Sequence, residues 1–269
     1  MKKFTQLICF LMIPAMLLAH DSWLVPAAHQ VQVGKPVLIR FATSEAFPTS
    51  ESAVAPERIA QFLLRDASGT RPVSNYRVEG NYLVAEVTPR QQGHTIVAVE
   101  TKSRVMELEA KEFKDYLREE ELKSILEERA KAGEEDSPER ERYRKIAKSI
   151  LCVGGARDSA FKKADGLWLE IIPLSSPCTM DVRSKPRIQV LFQGKPLAGV
   201  LVGTGYEGLQ GHDYYVWTRT DRNGRAQLVF DRPGVWFVRV LHMVRAKNDS
   251  EADWHSAFST LTFEVLPRR

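Results

Sequence analysis

The chain has 269 residues, with 38 Lys and Arg against 34 Asp and Glu, a formal net charge of +4 and a pI near 8.9. Residues 1–19 hold Lys2 and Lys3 and no acid, so the 250 residues that follow carry only +2, too little for the basic stripe of a nucleic-acid binder. At 43% hydrophobic and 27% charged, the composition excludes a disordered or collagen-like chain and fits one or two globular domains.

Residues 1–19 read as a secretory signal peptide. Two lysines precede an apolar run from Leu7 to Leu18, and Ala19 supplies a small exit residue. The run is shorter than the about 20 residues of a transmembrane helix, and Pro14 weakens its interior. The expectation is an exported, periplasmic protein with no membrane span after cleavage. Cleavage after Ala19 makes His20 the first residue of the mature chain. One residue then offers two nitrogens, its α-amine and its imidazole, to the same metal ion.

Residues 20–104 alternate short apolar runs with turn residues. Val37–Phe41, Ile59–Leu64, Tyr82–Val87 and Thr95–Val99 predict strands of an antiparallel β-sandwich. Residues 105–155 change texture. Phe113, Tyr116, Leu117, Leu122, Ile125 and Leu126 recur at helical spacing, and Gly133 ends the run. Ser137-Pro138-Glu139 then resembles a helix start, with Tyr143, Ile146 and Ile150 on one face of a second helix. The expectation is an inserted α-helical hairpin whose mixed charges form a solvated outer face. Residues 156–269 return to strands: Leu167–Ile172, Arg187–Phe192, Val200–Gly203, Tyr215–Thr220, Arg225–Phe230, Trp236–His242 and Leu261–Val265. Asp221-Arg222-Asn223-Gly224 predicts a hairpin turn between two of them. The fold class is mainly β: two antiparallel sandwiches, immunoglobulin-like or transthyretin-like, with a helical insertion.

Candidate chemistry is sparse. Cys152 and Cys178 survive the cut, an even number in a disulfide-permissive compartment. They pair across 25 intervening residues or stay as two buried thiols; no CxxC spacing makes them a metal site. No HxxxH, HExxH, GxSxG or nucleotide-binding glycine motif is present, so the expectation is a non-enzyme. A Ser-His-Asp triad is a spatial arrangement on which sequence is silent. His242 ends a row with Trp236, Val238 and Val240 and lies near the mouth of the second sandwich. His94, after Gly93, falls opposite the Thr95, Val97 and Val99 side and reads as a surface residue. His212 with Asp213 sits in a glycine-rich loop, and Glu251, Asp253 and His255 form a polar loop before the last strand.

An ordered series of motifs resembles the exported proteins grouped as domain of unknown function 4198, often labelled periplasmic components of nickel or cobalt uptake. It runs through His20-Asp21-x-Trp23-Leu24-x-Pro26, Phe113-x-x-Tyr116-Leu117-x-Glu119-Glu120 and Leu169-Glu170-Ile171-Ile172-Pro173-Leu174. It continues through Gly194-Lys195-Pro196-Leu197-Ala198-Gly199 and Pro233-Gly234-x-Trp236-x-Val238-x-x-x-His242-Met243. The resemblance implies a protein that binds a divalent transition metal (Ni, Co, Cu or Zn) and works with a membrane transporter or another envelope partner. His20 and His242 stand at motif positions, and His94 is the third expected ligand of a nitrogen-rich site between the sandwiches. Two other functions compete: a structural or interaction module of the envelope, and a copper oxygenase using His20 as a histidine brace.

Overall fold

A computed structural model describes residues 20–209 and 215–268. The expected leader and the His212-Asp213 pair lie outside the described residues. The first stretch forms β1 (Asp21–Pro26), β2 (Gln30–Val31), β3 (Val37–Ser44), β4 (Ile59–Asp66), β5 (Gly69–Pro72), β6 (Tyr76–Glu79), β7 (Tyr82–Val87) and β8 (Gly93–Thr101). The middle forms β9 (Arg104–Leu108), α1 (Ala110–Glu119), α2 (Lys123–Ala132) and β10 (Glu139–Val153). The last stretch forms β11 (Leu169–Pro173), β12 (Arg187–Phe192), β13 (Lys195–Pro196), β14 (Leu201–Tyr206), β15 (Val216–Arg219), β16 (Arg225–Gln227), β17 (Gly234–Arg245) and β18 (Trp254–Val265).

These strands make three layers. A ten-stranded sheet runs β15-β14-β17-β18-β10-β8-β4-β5, with β2 and β9 also paired to β10. A four-stranded sheet, β1-β3-β7-β6, covers one face, and β11-β12-β13 with β16 covers the other. Alternation along the central strands feeds both cores. Ile96 and Ala98 of β8, with Ile146 and Ile150 of β10, pack with Leu169, Ile171, Ile188 and Val190. Val97, Val99, Ala147 and Leu151 pack instead with Leu24, Ile39, Phe41 and Leu83. The two expected sandwiches are present and share their middle sheet. Pairing is antiparallel except where β10 meets β18 and β2. No helix among the described residues is long and apolar enough to cross a membrane.

The helical insertion needs a correction. Both helices, α1 and α2, fall inside the first expected helix, which breaks at Glu120–Leu122 with Glu121 at φ 54°. Gly133 caps α2 at φ 71°, where a glycine carries no steric cost. The expected second helix is β10, a strand of 15 residues. Its helical spacing of Tyr143, Ile146 and Ile150 is coincidental, because tertiary pairing overrides local pattern. β10 is bordered by β18 and β2 on one edge and by β9 and β8 on the other. The charges of α1 and α2, among them Lys111, Arg118 and Lys123, do face outward as expected, but several on β10 are buried and partnered. Glu139 Oε1 accepts from Arg129 Nε at 2.8 Å, and Lys148 Nζ lies 2.6 Å from Glu170 Oε1 and 2.8 Å from Asp165 Oδ2. The Asn223-Gly224 turn forms, with Asp221 N–H donating to Arg225 O at 2.8 Å. It is a corner between sheets and not a hairpin, since β15 pairs with β14 while β16 pairs with β12.

Cys152 and Cys178 form a disulfide with Cα atoms 5.4 Å apart. It ties β10 to the single helical turn Pro177–Thr179. For a closed loop of this length the chain-entropy model predicts about 3–4 kcal/mol. Replacing both cysteines by serine should lower the unfolding free energy in urea by about that amount; a loss below 1 kcal/mol would contradict it.

Candidate functional site

His20 immediately precedes β1, whose Asp21 pairs in register with Ser44 of β3. That register carries the His20 imidazole toward the segment that leaves β3. Its Nε2 lies 3.4 Å from Glu51 Oε2 and 3.7 Å from Glu45 Oε1. Glu51 is oriented by Ser44, whose hydroxyl donates to Oε1 at 3.3 Å, and by the Glu51 N–H, which donates to Thr43 O at 2.9 Å. The other ring nitrogen, Nδ1, is buried with no hydrogen-bond partner, in a residue only 7% exposed. Lys145 Nζ donates to the His20 carbonyl at 2.7 Å. The residue borders a cavity of about 260 Å³ lined by Ser22, Thr43 and Tyr143 and by Arg58, Arg104 and Lys145.

A buried ionic frame holds this end of β1. Arg239 Nε donates to Asp21 Oδ1 at 2.9 Å, and its two Nη groups donate to the Glu120 carboxylate, each at 2.6 Å. Burial lowers the Lys145 ammonium to a pKa of about 8, partly opposed by Asp21. Burial also raises the Glu141 carboxyl to about 7, against the hydrogen bonds from Ser256 and Tyr116.

His94 is 1% exposed, not a surface residue. β8 is a central strand covered on both faces, so neither side of its alternation meets water. Its ring packs on Phe161 with centroids 4.5 Å apart. Nε2 lies 2.8 Å from Ser176 Oγ, and Nδ1 lies 3.2 Å from Asp158 Oδ1. The second contact is within ion-pair range but poorly aligned as a hydrogen bond, which leaves Nδ1 without a formal one. Burial lowers the His94 pKa, more than the Asp158 carboxylate raises it.

His242 lies on the side of β17 that carries Trp236, Val238 and Val240, as expected. Its half-buried ring meets Phe192 edge to face at 4.7 Å, and burial pushes its pKa down to about 4. It borders a cavity of about 330 Å³ under the corner between α1 and α2.

The three histidines do not meet. Cys152 of β10 pairs with His94, whereas Arg144 pairs with Ala257, which pairs with His242. Those β10 positions are eight residues apart, about 26 Å along a strand. His20 packs against Lys145 on the opposite face of the sheet. The expected shared site between the sandwiches is therefore not formed. Among the described residues no three His, Cys, Asp or Glu side chains converge as a ready-made metal cage. His255 is held by Asp249, 2.7 Å from its Nε2, in a network where Arg142 and Arg140 take Asp249, Glu251 and Asp253. Glu45, Glu51, Ser176 and Asp158 carried no motif that sequence reading could use. The one local signal was Gly93, where a Cβ would stand 2.3 Å from Asp158 Oδ2.

Fold and site together define a three-layer, mainly β protein of two sandwiches that share a central sheet, with a histidine just before its first strand. Its residues 17–244 match the family model "Domain of unknown function (DUF4198)", and the chain belongs to that family. No curated protein matches it. Among solved structures, the D0–D1 domain of intimin is similar at 12% identity, covering 90% of this chain and 97% of that one, with a TM-score of 0.22. The fibronectin(III)-like modules of Clostridium thermocellum CbhA give 9% identity, 91% and 94% coverage and 0.22. The Yersinia pseudotuberculosis adhesin InvE gives 10% identity, 89% and 58% coverage and 0.25.

Proposed function

We propose that the mature chain is an exported, periplasmic protein that binds a divalent transition metal through His20 as its N-terminal residue. The observation that carries this is the buried, unpartnered Nδ1 of His20, opposite an Nε2 that faces Glu51 and Glu45. A carboxylate facing one ring nitrogen favours the proton there and leaves the other lone pair free for a metal. In histidine, Nδ1 and the α-amine of the same residue close a six-membered chelate ring. The free amine has an ordinary pKa near 8, so a metal displaces its proton easily. The Cys152–Cys178 disulfide supports an oxidising compartment, where a cleaved leader would expose that amine. Nitrogen donors suit Cu, Ni, Co and Zn, with copper the tightest by the general affinity order. Arg58, Arg104 and Lys145 on the cavity wall oppose a bare dication, while Glu45 and Glu51 offset them. The balance favours an ion that arrives with small anionic ligands. His94 and His242 lie too far off in the register to join the same ion. Delivery to a membrane transporter is the role that fits such a carrier.

Titration calorimetry on a chain that begins at His20 tests this. Cu(II) and Ni(II) should bind one per chain at micromolar affinity or tighter. One added residue ahead of His20, or His20→Ala, should weaken binding by at least about 100-fold. Binding no tighter than millimolar, or binding indifferent to the added residue, would overturn the proposal.

A further inference from the structure

A second site lies at the far end of β10, away from His20. We propose that Ser176, His94 and Asp158 form a nucleophilic serine site that cleaves small carboxylic esters. The three residues come from separate parts of the chain, 82 and 64 residues apart by pair, yet they line up in one relay. The order of contacts is that of a serine hydrolase: hydroxyl to one imidazole nitrogen, carboxylate to the other.

Each member is fixed by a separate device. Asp158 accepts from the N–H of His94 and of Ala160, both at 2.7 Å. Burial works against its ionised form, but these backbone donors and His94 outweigh it and hold its pKa low. An ionised Asp158 beside Nδ1 places the ring proton there, so Nε2 presents its lone pair to the Ser176 hydroxyl. His94 is neutral at neutral pH because its own pKa is depressed, which is the state a general base needs. Gly93, at φ 134°, lets the carboxylate approach; any side chain there would collide with it. The Cys152–Cys178 bridge links the strand position directly opposite His94 to the residue two beyond Ser176. It therefore clamps the nucleophile's segment against the base. The poor alignment of the Nδ1 contact resembles other unliganded relays, which tighten only with substrate.

Ser176 is half-buried and opens onto a surface cavity of about 220 Å³, lined also by Ser175, Thr179, Ser184 and Lys185. Its size fits a short acyl or alkyl group, and Lys185 favours a substrate with an anionic end. In the reaction, Ser176 Oγ attacks the ester carbonyl carbon and its proton passes to His94 Nε2. The bond to the leaving oxygen breaks, and His94 returns that proton to the departing alcohol. Water, deprotonated by His94, then attacks the acyl carbon; the bond to Ser176 Oγ breaks and His94 returns the proton to it, releasing the carboxylic acid and free Ser176. No oxidant, reductant or metal enters the balance.

A fluorophosphonate probe on the folded, oxidised mature protein tests the site without any variant. Mass spectrometry should find one phosphonyl group per chain, on Ser176. With p-nitrophenyl acetate, Ser176→Ala should lower turnover by at least about 100-fold at an unchanged melting temperature. Asp158→Asn should lower the rate and shift the pH at which it rises, which a merely structural aspartate would not do. A folded wild-type protein with no adduct on Ser176, or turnover within threefold of Ser176→Ala, overturns the proposal.

Discussion

Replacing Arg239 by methionine is expected to cost about 3–5 kcal/mol of folding stability, one of the largest effects of any single change outside the hydrophobic cores. Arg239 is 2% exposed and faces two carboxylates, Asp21 and Glu120, that are buried with it. Removing the guanidinium takes the main counter-charge from two buried carboxylates, and the cost comes from their uncompensated desolvation more than from the lost attraction. Urea denaturation at pH 7 measures it directly. Adding Glu120→Gln to the methionine variant should recover part of the loss, since one stranded charge then disappears. A deficit below 1 kcal/mol would mean that water enters the frame. The same change should also weaken the metal binding proposed for His20, because Asp21 fixes the strand end beside it.

Acid sensitivity is the second large effect. Burial lowers the pKa of His29, His94 and His242 below the ordinary 6.5, in His242 to about 4. In the unfolded chain each takes up a proton near pH 6.5 that the folded chain refuses. Stability is therefore full above pH 6.5 and falls as the pH drops toward the folded values. Each histidine steepens the fall by up to about 1.4 kcal/mol per pH unit. Glu141 has the opposite sign. Its folded pKa, raised to about 7, exceeds its ordinary 4.5, so the folded state keeps a proton that the unfolded state releases. Stability from Glu141 is present below pH 4.5 and lost as the pH rises through 7. Denaturation series between pH 4.5 and 7.5 should show His242→Gln flattening the acid limb and Glu141→Gln lifting stability at the neutral end. An acid limb equally steep in His242→Gln would show that this imidazole titrates normally.

Most strands were legible because their cores obey simple alternation. Tyr82–Val87 and Arg187–Phe192 match the structure at both ends. β10 was not legible, because its polar positions find buried partners from distant elements. Lys148 meets Asp165 and Glu170, and Glu139 meets Arg129, contacts that a local pattern cannot encode. β1 also escaped, since Asp21 and Ser22 look like a polar terminus until Arg239 and Thr43 supply their partners. For the candidate site, His20 drew attention only as the residue that follows the expected leader. The carboxylates beside it were not, because they return through a turn after β3. The relay at His94 was invisible for the same reason on a larger scale: its members lie on β8 and on two later loops.

The parallel pairing of β10 with β18 sets a condition on how the chain acquires its structure. Glu141 pairs with Trp254, 113 residues later, and the ladder extends from there to the pair of Ser149 and Thr262. The centre of the sheet therefore closes only when nearly the whole chain is available, and contacts of such separation make folding slow. A chain interrupted before residue 254 would leave the edge of β10 that β18 covers, nine residues long, unpaired and open to other strands, and so prone to aggregate.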